Sequence, residues 1–110
     1  MLPRQHRLHL SADLRRVNRK GRRFVVSEAV FTVLQIPKTT RVGVITPGKI
    51  GNSVLRHQIA RKIRAAAAVL IAKHPDGLEV VVRAQTGSEK LSVANWIELF
   101  ERSLKNEKTL

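Results

Sequence analysis

From Ser53 to Lys73 the chain reads SVLRHQIARKIRAAAAVLIAK. Leu55, Ile59, Ile63, Ala66 and Leu70 recur there at the spacing of one helical face. On a wheel of 3.6 residues per turn, His57, Arg61 and Arg64 fall on the opposite side, and Arg56 and Lys62 lie on the two flanks. A helix so patterned must cover another layer with its apolar stripe, and it turns its arginines outward. Asn52 or Ser53 stands at the cap position, and His74-Pro75-Asp76-Gly77 ends the helix. The preceding loop, Pro47-Gly48-Lys49-Ile50-Gly51, brings a lysine to the helix start, where free N–H groups and the helix dipole favour anions.

The charge pattern points the same way. No acidic residue occurs from Ala29 to Pro75. Residues 1–75 hold sixteen Lys/Arg against two acids, Asp13 and Glu28, a balance of +14, whereas residues 76–110 hold five against six. Solubility alone would mix the signs; a block of one sign over a folded pattern is an electrostatic footprint for nucleic acid. With 110 residues and 43% hydrophobic residues, the chain is read as one domain with one modest core.

Around the long helix the elements follow from local signals. A basic tail is expected to about Leu10. A short helix then starts with Ser11 as cap and Asp13 in its first turn, turns Leu14 and Val17 inward, and ends at Gly21. Phe24–Val26, Ala29–Ile36 and Arg41–Thr46 read as strands, with a turn at Pro37–Thr40. Leu78–Arg83 is a fourth strand. A last helix is capped by Ser92 and carries Val93, Trp96, Ile97, Phe100 and Leu104 at core spacing; residues 105–110 read as a C-terminal tail. The order α-β-β-β-α-β-α defines an α+β sandwich, a small four-stranded sheet packed with helices.

The sequence contains no recognisable catalytic constellation. The chain has no cysteine, which excludes disulfides and thiolate metal sites and suits a reducing cytoplasm. Four scattered histidines, His6, His9, His57 and His74, do not form a metal-ligand pattern. GKIGNS lacks the spacing of a Walker phosphate loop. Asp13 and Glu28 do not amount to a nuclease metal centre, which needs several convergent carboxylates. Neither a signal-peptide run nor a membrane-length apolar stretch is present. The expectation is a cytoplasmic protein that binds nucleic acid and does not cut it unaided, with no catalytic residue and no metal of its own.

The segment RVGVITPGKIGNSVLRHQIARKIRA resembles the central signature of bacterial ribonuclease P proteins, in which a strand and a lysine-bearing loop lead through G-N-A-V-x-R-N-R into an arginine-rich helix. RQHRLHLSADLRRVNRKG resembles that family's opening segment, and the likeness runs over roughly residues 5–104. It implies a single RNA-binding domain over 1–110 with a left-handed βαβ crossover. It also implies the role of protein subunit in a ribonucleoprotein endonuclease that removes the 5′ leader of precursor tRNA. Its partners would be the catalytic RNA, in a 1:1 complex, and precursor tRNA, with Mg²⁺ bound mainly by the RNA.

Carried onto this sequence, the RNA-binding residues are Lys49, Asn52, Arg56, His57, Arg61, Lys62 and Arg64. The leader-binding candidates are Arg15, Arg19 and Phe31, with Phe31 open to a core reading as well. The family's R-N-R reads Arg56-His57-Gln58 here, and first-helix aromatic positions are Leu14 and Asn18. A basic ribosomal RNA-binding component is the alternative reading. A DNA reader is the weakest, because only His57 and Gln58 near the helix start are of base-reading type.

Overall fold

The computed structural model describes residues 2–108. Helix α1 spans Ser11–Lys20, strands β1, β2 and β3 span Arg22–Val26, Ala29–Thr39 and Arg41–Ile45, and helix α2 spans Ser53–Lys73. Strand β4 covers Asp76–Ala84 and helix α3 Val93–Lys108, with single 3-10 turns at Arg4–His6, Gly48–Ile50 and Ser88–Lys90. This is the expected α+β order. Strand β2 runs through the turn expected at Pro37–Thr40: its register against β4 shifts between Gln35 and Thr39, and Pro37 sits in that irregularity, where the missing N–H breaks no ladder bond. Helix α3 continues past the expected start of a C-terminal tail, and residues 109 and 110 of that tail lie outside the described residues.

The three helix starts differ in chemistry. Asn52 caps α2 by accepting the Leu55 N–H at 2.9 Å, and Ser92 and Asn95 cap α3 reciprocally, each side chain accepting the other's N–H. Ser11, expected as a cap, is instead the first helical residue of α1, and Leu10 precedes it in extended geometry without a side-chain bond. Gly21 does end α1, for a steric reason. Its backbone is not left-handed, but a Cβ there would stand 2.8 Å from Thr32 Cγ2 and from the carbonyls of Val17 and Val33.

The sheet order is β1-β2-β4-β3, with β2 antiparallel to β1 and β4, and β3 parallel to β4. Helix α2 is therefore the crossover of a parallel β3–α2–β4 unit. Alternation sorts the strands into two faces. Ala29, Phe31, Val33, Val42, Val80, Val82 and Ala84 face α2 and α3, meeting Ile59, Ile63, Ala66, Leu70, Trp96 and Phe100 in the main core. The ring of Phe31 lies 5.2 Å from that of Phe100, edge-on, and 6.2 Å from that of Trp96.

The opposite face carries a smaller cluster of Leu8, Val17 and Val81, with Leu14, Leu34 and Ile45 against it. Here the N-terminal segment departs from a free tail. Leu8, in this cluster, and Leu2, in the main core, are 3% and 4% exposed, and the Leu8 N–H donates to the Val42 carbonyl at 3.1 Å beside a parallel bridge between Arg7 and Val42. The segment straps the outer edge of β3. Gly43 allows the strap its approach, since a Cβ there would meet the Leu8 carbonyl at 2.6 Å.

Candidate nucleic-acid interface

Strand β3 delivers the chain into the loop before α2, and that loop is pinned from both sides. Ile50 packs on the main core, while Lys49 is exposed. Arg56 reaches back from the first turns of α2 and donates its Nε–H to the Thr46 carbonyl at 3.0 Å. One of five guanidinium donors thus holds the loop against the helix, and Arg56 is half-buried there. The first turn of α2 contains no acid, so its unpaired N–H groups and Lys49 present uncompensated positive potential.

The flanking and outward cations of α2 separate into two kinds. Lys62 turns toward the opposite flank, where its ammonium donates to the carbonyls of Leu91 at 3.2 Å and Glu89 at 3.4 Å, tying α2 to the segment before α3. Like Arg56, it secures a neighbouring loop. His57, Arg61 and Arg64 instead share one groove of about 570 Å³, walled by Leu2 and Pro3 of the N-terminal strap and floored by Ala65 and Ala68. Spacing of four and three residues places these side chains one above another. Among the described residues, no carboxylate pairs with Lys49, Arg61 or Arg64; the one ion pair of α2 joins Lys73 to Glu101 at 3.6 Å, at its far end. Lys49 and Asn52 sit at the helix start, Asn52 with its carbonyl oxygen engaged as the cap.

A second groove lies on the open half of the other sheet face. It measures about 460 Å³ and is lined by Asn18 of α1, Arg23 and Val25 of β1, Val30 and Thr32 of β2, and Arg83 of β4, among others. Val25 is 64% exposed, a large apolar side chain on the edge strand, two residues from Arg23 and separated from Arg83 by Val30. The register Arg23↔Thr32 and Val30↔Arg83 puts these residues on one surface.

Phe31 is not in this groove. It points to the other face, is 0% exposed and packs among Phe24, Trp96 and Phe100. The cleft reading of Phe31 is therefore corrected: a fully buried ring has no face to offer a base. Arg15 and Arg19 are exposed on the outer side of α1, and it is Asn18 that the helix contributes to the groove wall. Arg23, Val25 and Arg83 were missed in the sequence because their shared face depends on the strand order. Alternation within Arg22–Val26 and Asp76–Ala84, joined to that order, is the signal that finds them.

Fold and charge together define a small basic α+β domain with two grooves lined in part by arginines. The ribonuclease P family model matches residues 2–108. The ribonuclease P protein component of Clavibacter michiganensis subsp. michiganensis is 37% identical over 92 residues, covering 82% of this chain and 81% of the relative. That of Kocuria rhizophila is 35% identical over 103 residues, covering 90% and 86%. The ribonuclease P protein of Staphylococcus aureus superposes with a TM-score of 0.78 at 26% identity, over 94% of this chain and 95% of that one. That of Thermotoga maritima shares the fold, with a TM-score of 0.75 at 19% identity, over 91% and 96%. The chain belongs to the ribonuclease P protein family, the protein part of an endoribonuclease that processes tRNA.

Proposed function

We propose that the chain binds the catalytic RNA of ribonuclease P through the Lys49 loop and the His57–Arg61–Arg64 face of α2. In the same proposal it receives the 5′ leader of precursor tRNA in the open sheet groove. The observation that carries this reading is the set of cations without a carboxylate partner on α2's outer face, on a helix whose inner face packs in the core and whose flanking Arg56 and Lys62 bond to neighbouring loops. Unneutralised cations at helical spacing on a well-packed helix suit a phosphate backbone. The sheet groove combines two arginines with an apolar floor and no aromatic ring, so a single strand would be held there by charge and shape. It would lack the stacking platforms that contribute ~1–3 kcal/mol per base elsewhere.

The chemistry of leader removal is assigned to the RNA. Among the described residues no three His, Asp or Glu side chains converge as a metal-ligand group. The protein acts by bringing two polyanions together, as a single copy on one RNA, in the cytoplasm. No helix among the described residues is long and apolar enough to cross a membrane.

Reconstitution tests this. With a bacterial ribonuclease P RNA and low Mg²⁺, the chain is expected to raise precursor-tRNA cleavage strongly, and the chain alone is expected to leave precursor intact at any Mg²⁺ concentration. Absence of stimulation would favour a ribosomal-type RNA binder, and specific cleavage by RNA-free, nuclease-free protein would overturn the division of labour.

A further inference from the structure

Glu79 is the one buried carboxylate among the described residues, 1% exposed, in the middle of a sheet face. It belongs to neither groove. Its two oxygens are divided between two elements. Arg16 of α1 approaches Oε1 at 2.8 Å, while Arg41 of β3 donates from Nε to Oε2 at 3.1 Å and again from Nη2. Asp13, one turn before Arg16 on α1, closes the ring at 3.5 Å from Arg16 and 3.6 Å from Arg41. Two acids and two arginines thus form a neutral cluster inside the most basic part of the molecule.

The cluster sits where α1 has little else to hold it. The helix buries Val17 completely and Leu14 in part, and it carries Arg15, Arg16, Arg19 and Lys20 within ten residues. Apolar contact of that size tolerates sliding and rotation, whereas the Arg16 guanidinium, 2.8 Å from an oxygen of a carboxylate that Arg41 holds in place, restrains both. On the helical wheel Asp13 and Arg16 lie on one side of Val17 and Asn18 on the other. Asn18 is the α1 residue in the groove wall, facing Arg23 and Arg83 across the sheet. Rotation of α1 about the Val17 contact would move Asn18 toward or away from them.

We propose that Glu79 is a positioning residue: shared between Arg16 and Arg41, it fixes the seat of α1 on the sheet and so sets the wall and width of the single-strand groove. The proposal rests on the leader reading of that groove. It makes Asp13, Arg16, Arg41 and Glu79 determinants of precursor recognition without contact to RNA.

The absence of cysteine permits a direct test. Exposed Ala12 of α1 and exposed Ala72 of α2 are changed to Cys, labelled with nitroxides, and their distance distribution is measured in the free protein. In the Glu79→Gln background the distribution is expected to broaden or shift while far-UV circular dichroism is kept. In the reconstituted holoenzyme the preference for precursor over mature tRNA should fall several-fold, with affinity for the catalytic RNA close to that of the parent. Asp13→Asn, at the half-exposed rim of the cluster, should do the same more weakly and serves if Glu79→Gln does not fold. An unchanged distribution in folded variants, or a changed distribution with unchanged precursor preference, would overturn the proposal. A parent holoenzyme without any precursor preference would instead sink the leader reading, and the distance measurement would still decide whether the cluster seats α1.

Discussion

Helices α1 and α2 are both rich in arginine, yet the fold uses the residue in opposite ways. On α1, Arg16 is drawn onto the sheet by Glu79 and also pairs with Asp13 of its own helix, with Arg41 of β3 as the second cation of the cluster. On α2, Arg61 and Arg64 stand on the outer face with no acid near them, while the helix is held by its apolar stripe. Charge near α1 is partly consumed in building the fold; the charge of Arg61 and Arg64 stays unneutralised among the described residues, available to the RNA partner proposed above. A count of basic residues therefore overstates the binding surface, and the acids Asp13 and Glu79 mark where it must be discounted.

The largest expected effect separates core from groove. Phe31→Ala should cost about 3–5 kcal/mol of stability, as truncation of a buried aromatic does. Phe31→Leu, which keeps most of the volume, should cost less and leave the precursor preference of the holoenzyme intact. Urea unfolding beside tRNA affinity checks both. A Phe31→Leu variant that folds normally but loses precursor preference would return Phe31 to the leader site.

A smaller effect should appear in acid, and only on the α1 side. Burial alone would push the Glu79 carboxyl up, but contacts with the guanidinium groups of Arg16 and Arg41 outweigh it and hold the carboxyl below its ordinary value. The same contact raises the Arg16 guanidinium. The charged groups around Glu79 are Arg16 and Asp13 from α1 and Arg41 from β3. A carboxyl depressed on folding stabilises the native state above its unfolded value, near 4.3 for glutamate, and that contribution is lost as pH falls through the lower folded value. Thermal midpoints from pH 7 down to pH 3 should drop more steeply in the parent than in Glu79→Gln. Parallel curves would remove the ionic account of the cluster.

The sequence made the α2 side readable and left the α1 side obscure, for physical reasons. Stripe, cap and outward arginines of α2 all lie within one continuous segment, so a single period reveals them. Asn52 is the cap, and Trp96 and Phe100 are core, as their spacing requires. Phe31 was ambiguous because a strand's two faces are equivalent until its neighbours are known; only the α2 and α3 packing decides that Ala29, Phe31 and Val33 turn inward. The N-terminal strap reads as a tail in the sequence because Leu2 and Leu8 stand in a short, largely polar segment without a period to announce burial. Glu79 left one trace, an acid inside the apolar run LEVVVR, whose partners come from elements far along the chain.

The central claim is that the unpaired cations of α2 face the catalytic RNA and the paired ones do not. Its most direct test is the salt dependence of protein–RNA affinity for Arg61→Ala beside Lys73→Ala, two cations of the same helix, of which only Lys73 has a carboxylate partner. Arg61→Ala should reduce the magnitude of the log–log slope by about 0.7–0.9, the loss of one phosphate contact, and Lys73→Ala should leave it unchanged. Equal slopes for the parent and Arg61→Ala, or a larger change from Lys73→Ala, would contradict the assignment of the RNA surface to the outer face of α2.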